Sequence, residues 1–202
     1  MSNTLESTKH NTQAAAGQPE QLTSKDRLPG GSYVVRCTNV DFSFSKSSGN
    51  PMFVTEWELI GYRVTDPTTK KMVCQPTVNV LGINKAIGGT KVRPVYFTLT
   101  EKAKERWFDI CRQAGLPTTI DLDNPLEVGK QLIGKAFNAQ VKSTEYVRRN
   151  ELTQEQKEAG IKPEEADAIL DEDGNEIKGY NNEISNFIDA SRMQLPSLSG
   201  AF

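Results

Sequence analysis

Nucleophilic and acid–base chemistry draws on histidines, thiolates and converging carboxylates, and this 202-residue chain offers few of them. Its one histidine is His10, in a polar N-terminal stretch. A histidine-based metal site, or a Ser-His or Cys-His pair, therefore has little to be built from. The three cysteines, Cys37, Cys74 and Cys111, form no C-x-x-C pair. That sparse, odd number suits a reducing cytoplasm better than a disulfide framework. Glu56 and Glu58 fall two apart on one strand face but lack a third ligand, so solvation is their expected fate. "GINKAIGGTK" and Gly129–Lys130 miss the G-x-x-x-x-G-K-[ST] order and read as turns. "DEDGNE" lacks the alternating aspartates of a calcium loop and reads as a turn into a last strand. No catalytic residue, cofactor or metal is expected, and the chain is not read as an enzyme.

What remains is a distributed pattern of cations and rings. Lys46, Arg63, Lys70, Lys71, Lys85, Lys91 and Arg93 fall in loops or at strand ends. The polar side of a later strand adds Lys142, Tyr146, Arg148 and Arg149. Alternation leaves Tyr62, Tyr96 and Tyr146 away from the core, and Phe44 and Phe53 flank a turn. Single-strand binders use this combination: cations track phosphates, and flat rings accept unpaired bases, each stack contributing about 1–3 kcal/mol. For each ring taken alone, core packing is the competing reading. Charge is also unevenly placed. Residues 31–150 carry 17 basic and 11 acidic side chains, whereas residues 151–202 carry 4 and 12. A basic body suits an anionic partner, and an acidic appendage could compete for it.

The elements that must position these residues are mostly strands. Residues 1–28 are polar and aperiodic and read as a flexible tail; "PGG" at Pro29–Gly31 opens the domain, taken as 29–190. Tyr33, Val35 and Cys37 share one face, and Val40, Phe42 and Phe44 continue it one residue out of phase. Such a slip is the mark of a β-bulge. A second strand runs from Met52 to Val64, a third from Met72 to Leu81, and "VRPVYFTL" supplies another. Thr100 is the expected N-cap of a helix over 101–114, with Gly115 as its stop. Ala103, Trp107, Ile110, Cys111 and Ala114 form its apolar stripe. Ala136–Arg149 is the fourth strand, an acidic helix-prone insertion fills about 151–175, a last strand follows, and 191–202 reads as a second tail. The expected fold is mainly β: an OB-fold-like small antiparallel β-barrel with one helix between the third and fourth strands. A β-sandwich with an accessory helix is the alternative. No apolar run reaches the roughly 20 residues of a membrane helix, and no secretory h-region opens the chain.

"PGGSYVVRCTNVDFSFSKSSGNPMFVTEWELI", "FTLTEKAKERWFDICRQAGLP", "LIGKAFNAQVKSTEY" and "YNNEISNFI" together resemble phage or prophage-encoded OB-fold proteins that bind single-stranded DNA. The resemblance covers about Pro29 to Ile188 without the insertion. It implies a protein that coats and protects single strands during phage replication and recombination, largely independent of sequence, in the host cytoplasm. Its implied partners are single-stranded DNA and phage or host replication and recombination proteins. The loop between the first two strands of such barrels, here Lys46–Pro51, is expected to close over a strand of DNA. Many such proteins end in acidic residues capped by Phe; here Phe202 is present but the acids lie upstream. The rival from another class is a structural or protein-interaction module on the same scaffold, which predicts no affinity for oligonucleotides. A nuclease is disfavoured by the missing histidines and carboxylate cluster.

Overall fold

The computed structural model describes residues 18–121 and 123–188. Residues 1–17 of the expected N-terminal tail and the whole expected C-terminal tail, 191–202, lie outside the described residues.

The fold is mainly β and antiparallel. β1 (Glu20–Gln21), β2 (Gly31–Phe44), β3 (Pro51–Thr65), β4 (Met72–Gln75), β5 (Thr77–Val80), β6 (Ile83–Ala86) and β7 (Thr90–Thr98) precede the helix α1 (Glu105–Ala114). A short helix α2 (Leu126–Lys130), β8 (Ala136–Val147), a five-residue helix α3 (Gln154–Glu158) and β9 (Lys178–Ile188) follow. The larger sheet runs β4-β3-β2-β8-β9, with β7 also paired to β3; the smaller runs β1-β6-β5. The helix falls where the sequence places it, between the strand pair β3–β7 and β8.

The phase slip read in β2 is a bulge. Cys37 faces Trp57 while Asn39 faces Glu56, leaving Thr38 as the extra residue. A second shift, with Val34 facing Gly61 and Val35 facing Leu59, puts another extra residue at Ile60 on β3. Strict alternation on β3 buries Phe53, Thr55, Trp57 and Leu59, and leaves Glu56 and Glu58 on the wetter side. The core closes around rings. Trp107 of α1 stacks on Phe53 with centroids 4.2 Å apart and meets Phe97 of β7 edge-on at 5.4 Å. Trp57 Nε1 donates to Thr55 Oγ1 at 2.7 Å, and that hydroxyl donates to the Val95 carbonyl at 3.0 Å. A chain of two bonds thus satisfies the buried polar atoms between β3 and β7.

Several sequence expectations are corrected. The expected barrel is not closed: among the described residues no ladder joins β7 to β9, although Phe97 and Phe187 bring their rings within 6.3 Å across the gap. The third strand is broken at Pro76 into β4 and β5, because proline has no N–H for the ladder. The Gly-rich connection after it contains β6. Helix α1 begins four residues late. Its N-cap position is Lys104, with no side-chain cap, and a tight turn from Thr100 leads in. Its end is as read: Gly115 sits at φ 69°, and the Leu116 amide reaches back to the Cys111 carbonyl at 2.8 Å.

Residues 18–28 are not a tail. Leu22 and Leu28 are both buried. The Leu22 amide bonds the Ala86 carbonyl, the Leu28 amide bonds Ser143 Oγ, and Asn182 Nδ2 donates to the Asp26 carbonyl at 2.7 Å. Lys85 fixes the segment with its ammonium 2.9 Å from Asp26 and 3.2 Å from Glu20. Burial works against ionising Asp26, but bonds from Thr23 and Lys85 outweigh it and hold the carboxyl below its ordinary range. Two leucines in a polar run were too weak a signal to show this.

Trp107→Ala should lower stability by roughly 3–5 kcal/mol, read by denaturant unfolding, since a large buried ring leaves a cavity behind. Lys85→Ala should speed amide exchange at Leu22 and Leu28 more than in the β2–β3 ladder; equal effects in both places would contradict the anchoring role assigned to Lys85.

Candidate nucleic-acid interface

A bulge aims the first group of candidate residues. Thr55 faces Val95 and Trp57 faces Val92, so Arg93 and Pro94 together oppose Glu56. Proline cannot donate to a ladder and is tolerated at such a bulge. The distortion leaves Arg93 exposed, and three residues on, Tyr96 stands outward beside Val54, which in turn faces Asp41. Tyr96 is 54% exposed. Lys91 lies on the same strand, but its ammonium is 3.2 Å from Glu56. Arg36 Nε donates to Glu58 at 2.7 Å. The two glutamates weighed as a metal pair are thus each held by a cation, and among the described residues no three His, Cys, Asp or Glu side chains gather. The ion pairs leave Arg93 as the cation of this face that no described carboxylate engages.

The β2–β3 hairpin lies at the end of that face. Its turn is closed by the Ser45 amide on the Asn50 carbonyl and the Gly49 amide on the Ser45 carbonyl, both at 2.8 Å, with Gly49 at φ 66°. Lys46 is exposed at the tip. Phe44, next to the turn, is 60% exposed and touches only the edge of Phe42, at 5.4 Å.

The second group lies on the arm where β8 and β9 run on past the start of β2. Tyr146 is 44% exposed, and its ring covers Gly179 so closely that a Cβ there would sit 2.5 Å from it. Only glycine fits beneath that ring. Lys142 is exposed and lies 3.0 Å from Glu183. The Lys178 ammonium, 2.7 Å from Glu145, holds that carboxyl below its usual range. Arg148 is exposed, whereas Arg149 Nη1 donates to the Ala166 carbonyl at 2.6 Å and so holds the insertion. The two groups sit on strands at opposite ends of the order β7-β3-β2-β8-β9.

Four candidates are placed elsewhere. Phe53 is 1% exposed, in the core beneath Trp107, and cannot present its face to a base. Lys85 is buried against Asp26 and Glu20. Arg63 is 5% exposed, with Nε and Nη1 buried and without a protein partner. Tyr62 lies half-buried with its ring 4.8 Å from that of Tyr33. Lys70 and Lys71 are exposed in the Asp66–Lys71 turn, where Lys70 adopts φ 58°. Asn138, on β8 two positions from the polar Gln140, is 2% exposed with neither amide atom bonded.

The acidic insertion folds as an extension of the β8–β9 hairpin. Thr153 caps α3 through a reciprocal box with Gln156, and bridges Arg149–Ala168 and Leu170–Glu176 tie the segment down. Among the described residues no ion pair joins its carboxylates to the basic candidates, so direct occupation of their groove is not formed here. Burial pushes the Cys37 thiol up to about 12 and Cys111 up to about 11, and raises Cys74 as well, which disfavours the reactive thiolate at each. No helix among the described residues is long and apolar enough to cross a membrane. No family model matches the chain, and the curated proteins contain no match to it.

Sequence reasoning missed Arg27, which it assigned to a tail, and Leu81, whose exposure depends on a turn that only "NVLGIN" hinted at. The assignments above predict that Tyr96→Ala, and separately Lys142→Ala with Arg148→Ala, leave the thermal midpoint nearly unchanged. Exposed ion pairs contribute only about 0–1 kcal/mol, and Tyr96 is mostly solvated. A large drop in midpoint would mean that these side chains are structural.

Proposed function

We propose that this protein binds single-stranded DNA, largely independent of base sequence, on an opened OB-type barrel. The observation that carries the reading is the set of exposed rings, Phe44, Tyr96 and Tyr146 at 60%, 54% and 44%, each close in sequence to exposed cations. A ring left in water contributes little to folding, whereas its flat face stacks on any unpaired base. Bases in a duplex are already stacked, so such rings favour single strands. Lys46, Arg93 and Arg148 supply phosphate contacts without an ion pair to break. The strand connectivity also supports the barrel reading. β2 pairs with both β3 and β8, β3 with β7, β8 with β9, and the helix α1 and the single-turn α2 stand between β7 and β8. An OB barrel requires only one further ladder, between β7 and β9.

In this role the protein coats exposed strands and keeps them from pairing, in the phage replication and recombination setting implied by the sequence resemblance. It needs no cofactor and performs no covalent chemistry. Titration with fluorescent dT oligomers and a matched duplex, at about 50 and 200 mM salt, tests it. The oligomer should bind far more tightly than the duplex. With about three phosphates neutralised, affinity should fall roughly tenfold or more across that salt range. An absence of oligomer binding at the lower salt would leave the protein-interaction module standing instead.

A further inference from the structure

The two-residue loop Leu81–Gly82 joins β5 to β6, with Val80 facing Ile83 across it. Both loop residues have positive φ, 50° and 87°. Asparagine or glycine adopts this geometry at little cost, and a bulky side chain is strained in it. Asn79 stabilises the turn, its Oδ1 accepting from the Gly82 amide at 2.9 Å. Leu81 is nonetheless 88% exposed, and Ile83 is 51% exposed. The fold gains neither burial nor backbone comfort from a leucine there, and such outliers point to use rather than to stability.

Leu81 also forms one wall of an open hollow of about 470 Å³. Pro29, Gly30 and Val80 contribute apolar surface to it, and Arg27 and Lys142 contribute charge. No carboxylate lines it. Lys142 is 3.0 Å from Glu183, but that exposed pair holds it weakly. The Arg27 guanidinium lies 5.9 Å over the Tyr180 ring and, after Lys178, helps lower the Glu145 carboxyl, but no described carboxylate forms an ion pair with it. An apolar wall beside two cations suits a flat ring carrying a phosphate.

We propose that this hairpin tip and hollow form a nucleotide subsite of the single-strand interface. Leu81 lies against one unpaired base, as apolar wedges do at unstacked steps, and Arg27 and Lys142 take the adjoining phosphate. The inference rests on the single-strand reading and extends its footprint beyond the rings of Phe44, Tyr96 and Tyr146. The subsite draws on three separate stretches of chain: the segment before β2, the β5–β6 turn and β8.

Leu81→Asn and Arg27→Gln test it, with Tyr96→Ala as the comparison, each titrated with dT oligomers of increasing length. Asparagine suits the turn, so Leu81→Asn should keep or raise the melting temperature. It should still weaken binding to long oligomers about fivefold, the lower end of one stacked base. Both variants should shorten the oligomer length at which affinity stops rising. Unchanged affinity and unchanged length in both, with Tyr96→Ala still weakened, would overturn the subsite and leave the single-strand reading intact. No oligomer binding by the unaltered protein would overturn both. Should Leu81→Asn melt lower than the unaltered protein, Arg27→Gln decides the matter, because it leaves the turn untouched.

Discussion

Strand β2 has to serve two partners, and the bulge at Thr38 is what lets it. Its first half pairs with β8, from Gly31 opposite Val141 to Arg36 opposite Ala136, and its whole length pairs with β3. At the bulge the β8 ladder ends. The Cys37 amide bonds the Lys135 carbonyl, the Gly134 amide bonds the Cys37 carbonyl, and Gly134 turns the chain at φ 84°. A flat strand could not make this change of partners, because every later side chain would fall on the wrong face. With the bulge, Val40 and Phe42 return to the core side, and the sheet bends enough for α1 to press Trp107 onto Phe53 and Phe97.

The same device repeats where contact residues are needed. The Arg93–Pro94 bulge in β7 breaks the ladder opposite Glu56 and turns Arg93 and Tyr96 outward, while Val92, Val95 and Phe97 remain buried. Distortion at this point separates the packing role of the strand from its surface role. Charge is separated in a similar way. Arg36 and Lys91 neutralise Glu58 and Glu56, and Arg149 is spent on holding the insertion. The cations that stay available are consequently fewer than a count of basic residues suggests. Of those that remain, Lys46, Arg93 and Arg148 lie close in sequence to exposed rings.

Not every polar residue is comfortable. Arg63 and Asn138 are buried on strands either side of β2, with the Arg63 Nε and Nη1 and both Asn138 amide atoms lacking protein partners. Burial without hydrogen bonds costs free energy. The segment around Leu22 and Leu28, by contrast, is hydrogen-bonded on both sides and ties β5–β6 to the β8–β9 arm.

Two-residue alternation made the long strands, the buried faces of β3 and β8 and even the Thr38 bulge readable from residues alone, and helical i, i+3, i+4 spacing did the same for the α1 stripe, because each depends on neighbours only a few positions apart. The Gly115 stop and the turn at Asp173–Gly174 were legible for the same reason. The broken third strand could have been read from Pro76, and the bulge at Arg93 from Pro94, had proline's missing donor been given its weight. Other features depended on partners far along the chain. Arg63, Lys85 and Asn138 look like surface residues locally, yet strands up to about 100 positions away cover them. Phe53 looks like a hinge ring until Trp107 arrives on top of it. The docking of residues 18–28 and the gap between β7 and β9 follow from how several elements share one core. Short-range pattern fixes which face a side chain takes; only tertiary packing decides whether that face meets water.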